Sequence, residues 1–212
     1  MEDKNYMTVK ERLFSKPRTS SSEDMLDKFA VKELIGFERF CRDNCLWEAM
    51  HTCFADDSTV NVSWYKGSGY GFVEASRNMQ TKAPHKLNNT LVWLNGVRAA
   101  AVTMASIQTR EEIKNREYDL TSYVRFLYTA EKRAGEWEII SMDCIYEKDC
   151  LVPAVPEVLN GEEKPEGIRA SYGNLSLILG GAGHTIAADL PGEDRPETID
   201  RLLEDKMKWF CS

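Results

Sequence analysis

The stretch ERFCRDNCLWEAMHTCFADDSTVNV, residues 38–62, indicates the fold class because it changes from helical to strand periodicity. Two helical segments meet at the Asp43-Asn44 pair, and apolar and polar residues then alternate as in a half-buried strand. Asp43 stands at the break between the two helical faces, four residues before Trp47. It is either an N-cap of the second helix, worth about 1 kcal/mol, or half of an acid/base pair whose partner lies elsewhere.

Helical patterns occupy the N-terminal part of the chain. The capping-box pattern Ser20-x-x-Glu23 predicts a first helix that ends near residue 42, and the second helix should cover 44–54. A short helix is expected around residues 72–80. The apolar residues that recur at helical intervals on the first helix, and are therefore expected to face the core, are Met25, Leu26, Phe29, Leu34 and Phe37.

Strand patterns follow the helices. The segment TREEIKNRE, residues 109–117, is predicted to be a polar loop between two long antiparallel strands. The order of helices first and an antiparallel sheet afterwards is typical of the α+β class. The four strand-like segments after the helices, separated by turn signals, are 86–94, 97–109, 117–131 and 136–147.

The chain divides into three predicted regions. Residues 1–20 are polar and should form a flexible tail, whereas residues 21–150 should form one folded domain. Residues 151–212 begin with a proline-rich extended linker and end in an amphipathic helix over 194–210, which should pack on the domain. The apolar segment NLSLILGG, residues 174–181, is expected to dock on the same body.

The composition excludes several classes of protein. With 42% hydrophobic and 10% aromatic residues, the chain can bury a core, which excludes global disorder. A net charge of −7 argues against nucleic acid or an anionic membrane as the main partner. The N-terminus lacks an apolar signal region, and no stretch reaches the roughly 18 apolar residues of a membrane span. These features predict a cytoplasmic protein.

Metal binding is not expected. The six cysteines form no Cys-x-x-Cys pair, and the histidines are His51, His85 and His184. By helical spacing His51 is a surface residue. His184 lies in a glycine-rich loop, where it is either solvated or caps a pocket.

These patterns together resemble the SnoaL-like branch of the nuclear transport factor 2-like superfamily, over roughly residues 25–150. The resemblance rests on Asp-x-x-x-Trp at 43–47, the FADD turn into the first strand, and Gly-x-Trp at 135–137, which opens the last strand. It implies a cone-shaped fold in which a strongly curved sheet wraps against the N-terminal helices and encloses an apolar pocket. Many members of the family form homodimers through the outer face of the sheet.

The resemblance also implies a site. The dehydratases of this family keep an aspartate four residues before a tryptophan and a histidine ahead of the central strands, and Asp43 and His85 match these positions. Elimination of water needs a group that removes a proton from carbon and protonates the leaving oxygen, which an Asp-oriented His can do in turn. For His85, the alternative is a loop histidine that only hydrogen-bonds to the backbone.

The chain departs from the dehydratases at three positions. The turn before Asp43 holds Phe37, Glu38 and Phe40, where those enzymes place a tyrosine. The bile-acid enzymes carry an arginine near the end of the last strand, and the nearest equivalent position here is occupied by Cys144. The strand after His85 also lacks the second histidine of those enzymes. Water or a tyrosine of the pocket would have to replace the missing hydroxyl.

The family register assigns further residues to the pocket. Val124 and Phe126 are placed on the inner face of the third long strand. Trp64, Trp93 and Met104 are additional candidate walls, although such residues belong to the core more often than they contact a ligand. Arg125, on the opposite face, is expected to pair with an acid across a dimer interface.

Three functions are compatible with these observations. The first is a cofactor-independent lyase or isomerase that acts on a small, apolar, oxygenated molecule through His85 and Asp43. The second is a non-catalytic module of the same fold that binds a ligand or serves assembly. The third is the small subunit of a ring-hydroxylating oxygenase. An approach of Asp43 and His85 within a closed pocket would favour the first function.

Overall fold

A computed structural model of the protein describes residues 10–11, 14–79, 82–155 and 167–212. The predicted proline-rich linker and the N-terminal tail fall largely outside these residues. None of the helices in the described ranges is long and apolar enough to cross a membrane.

Helices and strands follow the predicted order. The helices of the described residues are α1 (Ser22–Asp43), α2 (Trp47–His51), α3 (Gly69–Arg77), α4 (Gly173–Gly181) and α5 (Pro196–Cys211). The strands are β1 (Phe54–Val62), β2 (Tyr65–Ser68), β3 (His85–Asn95), β4 (Arg98–Ile113), β5 (Arg116–Arg133) and β6 (Glu136–Pro153).

The six strands form one open mixed sheet in the order β2-β1-β6-β5-β4-β3. β1 pairs in parallel with β6, and every other neighbouring pair is antiparallel. The segment predicted as a polar loop at 109–117 is mostly strand, because β4 and β5 continue to a tight turn at Lys114-Asn115, where both residues have positive φ. The predicted α+β class, with N-terminal helices packed on a curved sheet, is confirmed.

Helix α1 buries a different face from the one predicted. Met25 and Phe29 are 61% and 62% exposed, whereas the buried residues of the helix are Val31, Ile35, Glu38, Arg39, Cys41 and Arg42. The prediction was wrong because it assigned to the core the side of the helix that carries more apolar side chains. The inner face of the last two turns is instead charged, and Glu38 and Arg39 pair with each other there.

Asp43 does not cap the second helix. It is the last residue of α1, Asn44 is the C-cap, and Cys45 reverses the chain with a φ of 60°. Helix α2 is shorter than predicted, and its N-cap, Leu46, provides no side-chain hydrogen bond. The N-cap interpretation of Asp43 is therefore wrong, and its carboxylate is available for another partner.

The C-terminal helix α5 covers part of the outer face of the sheet. Its Ile199 and Leu203 are buried against Leu127 and Ile145, with Phe14 of the N-terminal segment at the edge of the cluster. Lys206 of α5 also lies 2.6 Å from Asp143 of β6. The homodimer expected through the outer sheet face stays a prediction, and α5 occupies part of that face.

The segment before α5 is joined to β6 beyond the residues that pair with β1. The amide of Tyr146 donates to the carbonyl of Pro191 at 2.9 Å, and the amide of Glu193 donates to the carbonyl of Tyr146 at 3.0 Å. A buried ion pair between Arg169 and Asp194 fixes this segment, with two hydrogen bonds of 2.7 and 2.8 Å. Together these contacts hold the segment before α5 against the sheet.

Candidate active site

Asp43 and His85 lie in direct contact. The ring nitrogen Nδ1 of His85 is 2.7 Å from Oδ1 of Asp43, and the backbone amide of His85 donates to Oδ2 at 2.6 Å. Since an ionised carboxylate only accepts hydrogen bonds, the proton of the neutral ring resides on Nδ1. This leaves Nε2, on the opposite side of the ring, as the nitrogen that accepts hydrogen bonds.

The surroundings keep His85 neutral. Burial and the positive charge of Arg39 lower the pKa of His85 to about 4, although Asp43 acts in the other direction. Burial would raise the pKa of Asp43, but the hydrogen bonds from His85 hold it below its ordinary value. The pair at neutral pH is therefore a carboxylate and an uncharged imidazole.

The depressed pKa of His85 predicts a pH-dependent stability. The unfolded chain binds a proton at the ordinary pKa of 6.5, whereas the folded protein binds it only near 4, so acid favours unfolding across this window. The free energy of unfolding of the wild type should therefore fall between pH 7 and 5. We expect this fall to be about 2 kcal/mol smaller in His85→Asn, whose side-chain amide can still donate to Asp43. Denaturant unfolding of both proteins at the two pH values measures the difference.

The matched control for this measurement is His51→Asn. The ring of His51 stacks on Tyr70 with centroids 3.7 Å apart and does not line the cavity that contains His85. This variant should keep the wild-type fall in stability. An equally steep fall in His85→Asn would contradict the burial of an uncharged imidazole.

A buried ion pair adjoins the dyad. Glu38 is fully buried and accepts two hydrogen bonds from Arg39, one from Nε at 2.5 Å and one from Nη2. The hydroxyl of Tyr128 donates to the same carboxylate at 3.3 Å. The remaining amino group of Arg39, Nη1, lies 3.4 Å from Nε2 of His85. Arg39 thus connects the charged end of α1 to the available nitrogen of the imidazole.

Arg42 is the second arginine of this helical face. Its Nη2 donates to the sulfur of Met79 at 3.3 Å, and its Nη1 lies 3.9 Å from Oδ1 of Asp43. Burial and the neighbouring charge of Arg39 lower the pKa of Arg42 to about 10, so that it remains charged at neutral pH.

The dyad opens onto a cavity of about 50 Å³ that is open to solvent at its mouth. Arg39, Arg42 and His85 form its charged and polar side, together with the phenol of Tyr146. The remaining wall is largely apolar. Its apolar side chains are Val62, Trp64, Phe72, Met79, Ala83, Ile107, Leu120, Phe126, Leu175 and Leu179.

Two of the five predicted wall residues line the cavity, namely Trp64 and Phe126. The ring of Phe126 lies 5.8 Å from that of His85 and 5.5 Å from the guanidinium carbon of Arg39. Phe126 lies on β5, and Trp64 lies between β1 and β2. These two aromatic residues therefore reach the cavity from different elements of the sheet.

The assignment of the other three residues to the cavity wall was wrong. Trp93 pairs with Ala100, which belongs to the outer apolar cluster, and its indole donates to the carbonyl of Ser15 at 2.6 Å. Met104 also lies on the outer face and is 43% exposed. Val124 shares the inner face of β5 with Phe126, but it is buried in the core away from the cavity.

Arg125 differs from its predicted surroundings, whereas His184 is found in one of the two surroundings expected for it. Arg125 forms ion pairs within its own chain, with Glu147 at 2.9 Å and with Glu193 of the C-terminal extension. His184 is half-buried, with its ring 6.1 Å from that of Trp64. It therefore lies beside the cavity wall.

The sequence interpretation missed both arginines. Their signal is positional, because Arg39, Arg42 and Asp43 continue the face of α1 that carries Val31 and Ile35. Charged residues that take over a buried helical face within its last two turns indicate a polar cluster inside the domain. Tyr146, which the sequence interpretation did not name, also lines the cavity.

Comparison with known proteins identifies the family. The SnoaL-like domain matches residues 23–143, which is more than half of the chain, and the protein belongs to this family. Among curated proteins, pea pathogenicity protein 2 of Fusarium vanettenii is 27% identical over 196 residues, covering 88% of this chain and 84% of that protein.

Solved structures of the same fold include enzymes. A putative scytalone dehydratase from Novosphingobium aromaticivorans superposes with a TM-score of 0.51 at 13% identity, over 69% of this chain and 97% of that one. A hexachlorocyclohexane dehydrochlorinase, LinA type 2, superposes with a TM-score of 0.51 at 13% identity, over 68% of this chain and 97% of that one. At these identities the likeness shows the nuclear transport factor 2-like fold alone.

Proposed function

We propose that the protein is a cofactor-independent lyase or isomerase that removes a proton from carbon in a small, largely apolar substrate. The observation that carries this proposal is the 2.7 Å contact between Asp43 and His85, beside a cavity that His85 lines and Asp43 does not. This arrangement orients Nε2 as the ring nitrogen available on the cavity side. The solved enzymes of the same fold, which by their names eliminate water or hydrogen chloride, support the same class of reaction.

His85 acts as the general base. Its Nε2 takes the proton from carbon, the electrons of that bond form the new double bond, and the leaving group departs with its own electron pair. The imidazolium formed in this step is stabilised by Asp43, which holds the ring in the required tautomer and orientation. The carboxylate therefore acts through the imidazole rather than on the substrate.

Tyr146 supplies the hydroxyl that the first helix lacks. Its phenol lines the cavity and accepts a hydrogen bond from the amide of Ser63 at 2.8 Å. Burial raises the pKa of Tyr146 well above its ordinary value, so the phenol keeps its proton at neutral pH. It can donate that proton to a departing oxygen and recover one from the imidazolium or from water.

A search for deuterium exchange and elimination tests this function before the substrate is identified. A panel of oxygenated and chlorinated cyclic compounds is incubated with the protein in heavy water, and mass spectrometry detects deuterium uptake or loss of water or hydrogen chloride. We expect His85→Asn to lower the rate on any active compound by about 10²–10⁴-fold, because a positioned base contributes on this scale.

Asp43→Asn and His51→Asn complete the experiment. The first should also lose activity, because an amide neither fixes the tautomer nor stabilises the imidazolium, and the second should retain it. Undiminished exchange in His85→Asn would exclude the proposed base.

A second function, binding without catalysis, is favoured by one observation. Nη1 of Arg39 lies 3.4 Å from Nε2 of His85 and opposes its protonation, which weakens the imidazole as a base. The two functions separate in the same experiment. A pure binder would hold compounds from the panel without exchange or elimination.

A further inference from the structure

Arg42 is a buried cation whose hydrogen-bonding capacity is mostly unused. It is 7% exposed, and a guanidinium carries five N–H donors. Within the part of the chain that the structure describes, its one hydrogen bond goes to the sulfur of Met79, a weak acceptor. The 3.9 Å separation from Asp43 is longer than a hydrogen bond, and both oxygens of that carboxylate already accept from His85.

The other two buried arginines of the described residues each bind a carboxylate. Arg39 binds both oxygens of Glu38. Arg169 binds both oxygens of Asp194, and it also donates to the hydroxyl of Tyr172 and to two backbone carbonyls. Buried guanidinium groups are costly unless their donors are satisfied, and the fold meets this requirement at both positions. Arg42, which lines the cavity together with Arg39, is the exception among the described residues.

The position of Arg42 shows where its missing acceptor would lie. It lines the same cavity as His85, and the walls around the two residues are largely apolar. A ligand that fills the cavity would therefore place one end against Arg42 and its body along the apolar wall. The acceptor that best matches the planar fork of a guanidinium is a carboxylate or a similar delocalised oxyanion.

We propose that the cavity takes a small organic acid, and that Arg42 binds its carboxylate and directs a neighbouring carbon toward His85. The part that concerns catalysis rests on the proposed function above. The part that concerns binding does not, because acid recognition requires only Arg42 and the apolar wall. Arg42 is thereby a specificity-determining residue for the site.

The bound anion would also affect the base. Arg39, Arg42 and Asp43 of α1 are the charged groups that act most strongly on His85. The strands contribute the apolar ring of Phe126, together with the phenol of Tyr146 and the thiol of Cys144, both uncharged at neutral pH. An anion on Arg42 offsets the positive field at the imidazole, so the base strengthens when an acid occupies the cavity.

Matched acid and amide pairs test the recognition directly. Benzoate and cinnamate are titrated calorimetrically against the full chain, beside benzamide and cinnamamide, which share their shape but lack the charge. We expect the acids to bind about 10–100-fold more tightly than the amides, as a charge-assisted bidentate contact would give. Arg42→Met should abolish this preference, Arg42→Lys should retain part of it, and Arg110→Met, at an exposed arginine, should retain all of it.

The outcomes are decisive even if one variant does not fold. Equal binding of acids and amides to the wild-type protein overturns the proposal, and so does a failure of both acids to bind or a preference that persists in Arg42→Met. His85→Asn separates this result from the proposed function, since it should bind the acids with the wild-type preference while it lacks turnover. Acid binding by a wild-type protein that shows no exchange or elimination with any compound of the panel would support Arg42 recognition and contradict the catalytic role of His85.

Discussion

Arg39→Met is expected to lower the free energy of unfolding by about 3–5 kcal/mol, because it leaves a buried carboxylate without its charge partner. Glu38 is fully buried, and its remaining contact would be the hydroxyl of Tyr128 at 3.3 Å. A methionine fills the space of the aliphatic stem but donates no hydrogen bond. Denaturant unfolding at neutral pH measures the loss.

The double variant Glu38→Gln/Arg39→Met identifies the cause. If the loss comes from the unpaired charge, removal of the carboxylate should recover most of the stability, since replacing both members of a buried pair is often close to neutral. Arg110→Met is the matched control, because the pair of Arg110 and Asp119 is exposed and contributes little. A double variant as unstable as the single one would show that the loss comes from packing.

Asp194→Ala is expected to destabilise the protein by about 3 kcal/mol, since it leaves the buried guanidinium of Arg169 without its carboxylate. The same carboxylate accepts from the amide of Ala170 and from the hydroxyl of Ser171, at 2.9 and 2.8 Å. Four hydrogen bonds that hold the C-terminal extension together therefore depend on this side chain.

The destabilisation caused by Asp194→Ala should also weaken binding in the cavity. Leu175 and Leu179 of α4 line it, and the segment that Asp194 stabilises follows α4 in the chain. We expect cinnamate to bind the variant more weakly under conditions in which it is still folded. Asp205→Ala, at an exposed residue of α5, is the control and should change neither property. Wild-type stability in Asp194→Ala would contradict the structural role of the pair.

The strands were predicted to within a few residues at most of their ends because their signals are local. Alternating apolar residues and turn residues such as the glycines at 96 and 135, both with positive φ, mark where each strand begins or ends. The loop at 109–117 was predicted wrongly, since its charged residues form the exposed ends of two strands. Polarity alone does not distinguish a solvated loop from a solvated strand pair.

The orientation of α1 could not be read from the same local signals. Its exposed side holds Met25 and Phe29, and its buried side ends in Arg39 and Arg42. A charged residue is assigned to the surface by default, because the partner that allows its burial is invisible in a linear pattern. Arg39 finds its partner in the adjacent residue, where helical geometry does not normally bring two side chains together.

The dyad was predicted through family resemblance rather than through periodicity. Asp43 and His85 are separated by 42 positions, and neither residue alone indicates the other. The structure supplies their contact and adds the two arginines beside it. Trp93 and Met104 were placed on the wrong face because the register of β3 and β4 depends on their neighbours, which single-strand patterns do not reveal.

The cavity is assembled from two stretches of chain that differ in their relation to the family. Residues 23–143 carry the SnoaL-like match and contribute His85 and both arginines to the cavity, whereas Tyr146, Leu175 and Leu179 lie beyond it. The charged groups and part of the apolar wall that selects a ligand are therefore encoded separately. Redesign of α4 offers a way to alter which molecules enter while the chemical apparatus stays as it is.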